Sequence, residues 1–327
     1  MRSTKPRHSI RAISESDATQ RRALLSGMVA LTALSACAPR PSGNARPSGA
    51  AEGNLVEVRG TDLYFERFGS GPPIVLLHGA SGNLRDWTLG PAQAFAQNRT
   101  VIAFDRPGHG LSGWPDQGGE TLQVQATLMR EAVAALGYER VTLVGHSYGG
   151  SVALAWAVDA PESVSGLLLL AAPSQAWEGG LGLRTSLLAN PIAGNVIANV
   201  APRIMTDSFV DSVVDGVFAP QAAPDNYAAH LDRNLFLHPD ALRRNALQLS
   251  NLKSEIRRME PRYGMLQMPT VLLHGTADQT VPIDIHSEPL ARHIPNASLQ
   301  PLNGVGHMLH HSALAAVVEA AERLPTK

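Results

Sequence analysis

A chain of 327 residues with 27 Lys and Arg against 28 Asp and Glu has a formal charge of −1. That balance leaves no basic face to argue for a nucleic-acid partner. Hydrophobic residues make up 44% of the chain, and the 273 residues from Leu55 onward suffice for one large domain with a sizeable core. There is no internal repeat. The single cysteine excludes an internal disulfide.

The first 22 residues are polar and basic and end in Arg21-Arg22. Ala23 to Ala36 is a mainly apolar stretch of 14 residues, too short to span a bilayer but suited to the h-region of an export signal. It closes on Leu34-Ser35-Ala36-Cys37, which resembles the lipobox of bacterial lipoproteins, where cleavage leaves a lipidated cysteine at the new N-terminus. The resemblance implies a signal peptide over 1–36, lipidation of Cys37, and export to the bacterial cell envelope with a lipid anchor in the membrane. The alternative for Cys37 is a buried apolar residue. Arg21-Arg22 ahead of Ala23-Leu24-Leu25 resembles a twin-arginine signal in part, with Gln20, Leu24 and Ser26 departing from the pattern; the general secretory route is the other option. Ala38 to Gly53 is rich in Pro, Ser, Gly and Ala without periodicity, so residues 37–54 are expected to form a tether ahead of the domain at 55–327.

Beyond the tether, apolar runs predict a hairpin at Leu55–Val58 and Leu63–Phe68, then strands near 73–77, 100–104, 140–146, 164–172, 270–275 and 297–302. Helical patterns separate the later runs, which implies a mostly parallel, doubly wound sheet whose functional residues gather at strand carboxyl ends. The motifs fall at those ends. Ile74-Val75-Leu76-Leu77 runs into His78-Gly79-Ala80-Ser81-Gly82, and Val101-Ile102-Ala103-Phe104 into Asp105-Arg106-Pro107-Gly108-His109-Gly110. Val141-Thr142-Leu143-Val144 precedes Gly145-His146-Ser147-Tyr148-Gly149, a GxSxG pentapeptide followed by a helical pattern. A sharp strand-to-helix turn can hold a serine at its tip, with glycines leaving room for a substrate carbonyl. Val271-Leu272-Leu273-His274-Gly275 leads to Asp278, and Leu302-Asn303-Gly304-Val305-Gly306 delivers His307.

From about Asn54 onward the chain resembles the α/β-hydrolase superfamily, in which serine, acid and histidine follow in the order Ser147, Asp278, His307. The resemblance implies Ser147 as nucleophile, His307 as general base and later acid, and Asp278 as the group that orients and stabilises the imidazole. It implies an oxyanion hole from the backbone N–H groups of Ala80 and Tyr148, with Ser81 as a weaker second donor. Asp105 is then structural. His310 and His311, at the start of the final helix, read as solvated or packing residues; His78, His109, His146 and His274 read as hydrogen-bonded histidines. No sequence cluster has zinc spacing and none suggests calcium. The chemistry needs no cofactor.

Between Ala172 and Met268 the strand alternation stops. Phe209, Val213 and Val217, then Tyr227, Leu231 and Leu235, recur at helical spacing, and Leu242, Leu249, Leu252, Ile256 and Met259 mark a further stripe. The pattern resembles the helical cap that these hydrolases insert after the sixth strand, here about 174–265. Met205, Phe209, Phe218 and Phe236 favour an enclosed, mainly apolar pocket. The expected activity is hydrolysis of carboxylic esters of small, largely apolar molecules through an acyl-enzyme. The alternatives on the same residues are a carbon–carbon bond hydrolase of the meta-cleavage type and a perhydrolase or haloperoxidase-like enzyme. Against the first, Ala80-Ser81-Gly82-Asn83 stands where that group shows Gly-Pro-Gly. Epoxide hydrolases and haloalkane dehalogenases require an aspartate where this chain has Ser147. A non-catalytic binding protein on the fold is the reading from a different class.

Overall fold

The computed structural model describes residues 54–180 and 182–326. The expected signal peptide, Cys37 and nearly all of the tether lie outside the described residues.

Eight strands form one sheet in the order β1-β2-β4-β3-β5-β6-β7-β8. They are β1 (Leu55–Val58), β2 (Thr61–Phe68), β3 (Pro73–Leu77), β4 (Thr100–Phe104), β5 (Val141–His146), β6 (Val164–Leu170), β7 (Thr270–Gly275) and β8 (Ala297–Leu302). β1 and β2 form an antiparallel hairpin, and β2 also pairs antiparallel with β4. Every pair from β4 through β3, β5, β6 and β7 to β8 is parallel. This is the α/β-hydrolase fold.

Side-chain alternation shows why the central strands read as continuous apolar runs. Val75, Leu77, Ile102, Phe104, Leu143, Leu167 and Leu169 point into one core layer. Ile74, Leu76, Val101, Ala103, Val144, Leu168 and Leu170 point into the other. A parallel sheet covered on both faces has no solvent side to make polar. In chain order, α1 (Arg85–Thr88) and α2 (Pro91–Phe95) follow β3, α3 (Leu122–Ala135) follows β4, and α4 (Tyr148–Asp159) follows β5. Leu122, Met129, Val152 and Trp156 of α3 and α4 fill the first layer. Trp87 and Phe95 of α1 and α2 fill the second.

After β6 the sheet is interrupted by the helical cap: α5 (Gly182–Ala189), α6 (Ala193–Ile204), α7 (Asp207–Phe218), α8 (Tyr227–His230), α9 (Arg233–Phe236) and α10 (Pro239–Met259), with a 3-10 turn at Glu260–Met265. The chain returns through β7, α11 (Ser287–His293) and β8, and ends in α12 (Leu309–Ser312) and α13 (Leu314–Glu322). The expected stripe on α10 packs as read, with Leu252, Ile256 and Met259 in the core. The stripe on α7 does not: Phe209 and Val213 are each 46% exposed. Helical spacing reports that one face is apolar, and it carries no information on whether a neighbour covers that face. Among the described residues no helix is long and apolar enough to cross a membrane.

Candidate active site

Ser147 occupies the sharp turn between β5 and α4 with φ 51° and ψ −123°, a left-handed backbone that a non-glycine residue adopts only under constraint. Its N–H donates to the Leu170 carbonyl at 2.8 Å, and its own carbonyl accepts from Gly150 at 2.9 Å. The neighbouring glycines are required by contact. A Cβ on Gly149 would lie 2.2 Å from the Leu77 carbonyl oxygen, and one on Gly145 would lie 2.5 Å from that of Gly149. On the far side, a Cβ on Gly79 would be 3.3 Å from Ser147 Cβ, so the loop after β3 lies against the serine. Ser147 is itself only 9% exposed.

Asp278 and His307, from the loops after β7 and β8, meet through a 2.7 Å bond in which His307 Nδ1 donates to Asp278 Oδ2. The other oxygen accepts from the N–H groups of Thr280 and Val281 at 2.8 and 2.9 Å. His274 lies 3.3 Å from Oδ2. Burial alone would push this carboxyl up. The hydrogen bonds from His274 and His307, the His307 charge and the Val281 N–H outweigh it and hold Asp278 well below the usual carboxylate range. His146, directly before the serine, donates from Nε2 to the His307 carbonyl at 3.1 Å, and the two rings pack with centroids 4.8 Å apart. From the cap, Gln221 accepts from Gly306 N–H and donates to the Gly304 carbonyl, both at 2.8 Å. The loop bearing His307 is thus pinned from two sides.

Tyr148 is the first residue of α4, where a backbone N–H has no carbonyl one turn earlier to bond. Ala80 follows His78-Gly79 on the loop against the serine. Ser81 is excluded as an oxyanion donor, because its N–H is already taken by Asn245 Oδ1 of α10 at 2.8 Å. Asp105 lies away from the imidazole pair in its bonding: its two oxygens accept from Leu84 and Leu111 N–H, each at 2.7 Å. Burial raises its carboxyl to about 7 against those two donors.

Two features escaped the sequence reading. Arg106 is fully buried and donates to the carbonyls of His78 and Gly79 and to the side-chain oxygens of Gln125 and Gln248, all at 2.9 Å. Its backbone N–H donates to His78 Nε2 at 3.0 Å, which assigns the His78 proton to Nδ1. His310 and His311, expected as solvated or packing residues, instead converge on the buried Asp86 at 2.9 and 2.8 Å, joined by the Tyr227 hydroxyl of the cap at 2.8 Å. Their ligand atoms and those of Asp86 lie within 4.8 Å of one another, a grouping that could hold a metal ion. Three hydrogen-bond donors already account for both carboxylate oxygens. No sequence pattern could have signalled this cluster, since 224 residues separate Asp86 from His310. Burial pushes Asp86 up, but His310 and His311 more than reverse it and hold the carboxyl well below its ordinary range.

A cavity of about 530 Å³ lies in the cap, lined by Val210, Val214, Tyr227 and Phe236 but also by Asp207, Asp211, Asp215, Asp225 and Arg233. Ser147, Asp278 and His307 are not among its walls. Of the four cap residues expected around an apolar pocket, only Phe236 lines it.

Residues 74–320 match the model of the Alpha/beta hydrolase family, and the chain belongs to that family. It is 42% identical over 115 residues to an uncharacterized protein of Mycobacterium tuberculosis, covering 35% of this chain and 33% of that protein. It is 37% identical over 123 residues to the fluoroacetate dehalogenase of a Burkholderia species, covering 36% and 40%. These matches span about a third to two fifths of the relatives' own length. A solved structure described as "Est816 as an N-Acyl homoserine lactone degrading enzyme" superposes with a TM-score of 0.63 at 25% identity, covering 82% of this chain and 98% of that one.

The Asp86 cluster yields a stability test. Replacing Asp86 by Asn leaves buried donors poorly matched and should cost about 1–3 kcal/mol at pH 7. Because the folded carboxyl lies below its unfolded value, its contribution is complete above the unfolded carboxylate range near ~4 and fades as pH falls further. Urea denaturation should therefore show a wild-type advantage at pH 7 that narrows in acid. An equal gap at both pH values would mean that the charge on Asp86 contributes nothing.

Proposed function

We propose that the chain hydrolyses carboxylic esters of small, largely apolar molecules through an acyl-enzyme on Ser147. The observations that carry this reading are the 2.7 Å bond between His307 Nδ1 and Asp278 Oδ2 and a serine held at a strained strand-to-helix turn, whose preceding residue His146 is bonded to the His307 carbonyl. With Nδ1 protonated and bonded to the carboxylate, Nε2 of His307 carries the lone pair that a general base needs. His307 takes the Ser147 proton as Oγ attacks the ester carbonyl. The Ala80 and Tyr148 N–H groups receive the oxyanion, each such donor contributing about 3–4 kcal/mol in the transition state. The tetrahedral adduct collapses as His307 protonates the leaving alkoxide. Water then gives a proton to His307 as its oxygen bonds to the acyl carbon, and the acyl bond to Ser147 breaks as His307 returns that proton to Ser147 Oγ, releasing the acid. Ser147 stands where dehalogenases of this fold use aspartate, so the dehalogenase relative does not lend its reaction.

We also propose that the protein is exported and lipid-anchored through Cys37, on the strength of Leu34-Ser35-Ala36-Cys37 at the end of a 14-residue apolar stretch.

Three outcomes test these readings. Ser147→Ala should lower turnover of a p-nitrophenyl ester by about 10⁴-fold or more with the circular-dichroism spectrum unchanged; a folded variant that retains substantial turnover would remove Ser147 from the mechanism. Asp278→Asn should approach a loss of about 10⁴ in kcat, whereas Asp105→Asn, compared at equal folded fraction, should retain most activity. The reverse ranking would transfer the acid role to Asp105. In a bacterium that processes lipoproteins, wild type should incorporate labelled palmitate and partition into detergent, and Cys37→Ala should do neither while keeping its kcat/KM on a soluble ester. Wild type without palmitate would return Cys37 to an ordinary signal-peptide position.

A further inference from the structure

The cap helix α6 is amphipathic in the wrong sense for a helix that only covers a core. Its inward face is mostly small: Gly194 and Ala198 are buried, Ala198 clusters with Leu188 of α5 and Ala246 of α10, with Ile197 partly buried against them, and a Cβ on Gly194 would lie 2.0 Å from the Leu188 carbonyl oxygen. The other large apolar residues point out. Ile192, just before the helix, and Val196, Val200 and Ile204, at i, i+4, i+8 and i+12, are 81%, 63%, 44% and 71% exposed. The adjoining α5 adds Leu183 and Leu187, also exposed. Isolated exposed apolar residues are ordinary, whereas an aligned group of this kind marks an interaction surface.

Charge selects the occupant. From Gly182 to Thr206 the chain has no Asp or Glu and two exposed arginines, Arg184 and Arg203. Arg243 of α10 adds a third guanidinium, bonded to Asn195 on α6. Carboxylates begin only at Asp207, which is paired with Arg233. Exposed aliphatic side chains among arginines, with acids excluded, match a bilayer interface that offers acyl chains beneath anionic headgroups. We infer that the α5–α6 face of the cap lies on an anionic lipid bilayer. The helix lies on that surface and does not span it, since its 12 residues measure roughly 18 Å.

The anchoring reading supplies proximity. The 16 residues from Ala38 to Gly53 reach at most roughly 55 Å when extended, about the diameter of a domain of this size. The face itself is independent of that reading, and of the assignment of Ser147.

The test places an environment-sensitive nitrobenzoxadiazole label on Val196→Cys, on Val200→Cys, and on Ala315→Cys of α13 as a control, each in the full chain carrying Cys37→Ala so that one thiol is present. With phosphatidylglycerol-containing vesicles, the labels at 196 and 200 should shift to the blue and be quenched by nitroxide lipids, while the label at 315 stays in water. Binding should weaken with salt and on pure phosphatidylcholine. Adding Val200→Asp to the Val196→Cys protein should reduce vesicle partition about tenfold, with ester turnover in solution unchanged. No shift at 196 and 200 on vesicles overturns the inference. So does a shift without vesicles that grows with protein concentration, which would assign the face to a second copy of the chain. Palmitate incorporation by wild type is read separately, so failure of the anchor is distinguishable from failure of the face.

Discussion

The guanidinium of Arg106 is withdrawn from water, and each oxygen that accepts its hydrogen bonds is neutral: the carbonyls of His78 and Gly79 and the amide oxygens of Gln125 and Gln248. Burial lowers its pKa to about 10, still far above neutrality, so the charge persists and must be solvated by the protein. Those four dipoles come from the loop after β3, from α3 and from α10 of the cap. The face of the guanidinium lies 4.5 Å from the Tyr148 ring centroid, on the residue after the serine. Removing any acceptor leaves a buried charge underpaid in hydrogen bonds, a cost of several kcal/mol. The geometry of His78-Gly79-Ala80 is therefore fixed by a charge that must not lose contact with it.

That constraint explains the division between what could be read in the chain and what could not. The strands and their motifs were legible because each is local: a run of four to eight residues, continuously apolar in the centre of the sheet, then a loop with characteristic glycines. The strain at Ser147 and the Gly145 contact arise within five consecutive residues, whereas the Gly149 contact is with Leu77 of the neighbouring strand. Arg106 was visible as part of the same loop as Asp105, yet nothing in the sequence marks it as buried. Its acceptors Gln125 and Gln248 lie in separate helices and look like solvated glutamines. The same holds for Asp86, whose partners Tyr227, His310 and His311 become neighbours only once the cap and the C-terminal helices are packed.

The cap shows the converse failure. Helical period was read correctly for α7 and α10, but only α10 turns its stripe to the core. A helix between two environments has the same period whichever face is wet. On α6 the discriminating clue is size: Gly194 and Ala198 allow close approach to α5 and α10, where Ile197 also packs, while Ile192, Val196, Val200 and Ile204 face outward.

The cap and the loop after β3 are also mechanically one unit. Beyond Arg106 and Gln248, the segment after Ala80 is tied to the cap by Ser81 to Asn245, Asn83 to the Leu231 carbonyl, Arg85 to Asp232 and Thr88 to His230. The His307 loop is tied to it through Gln221. A displacement of the cap large enough to admit substrate must therefore either occur in helices that carry none of these bonds, or move the Ala80 N–H away from the serine. The bonds fall on α8 to α10 and on the turn after α7, while α5 and α6 contribute none of them.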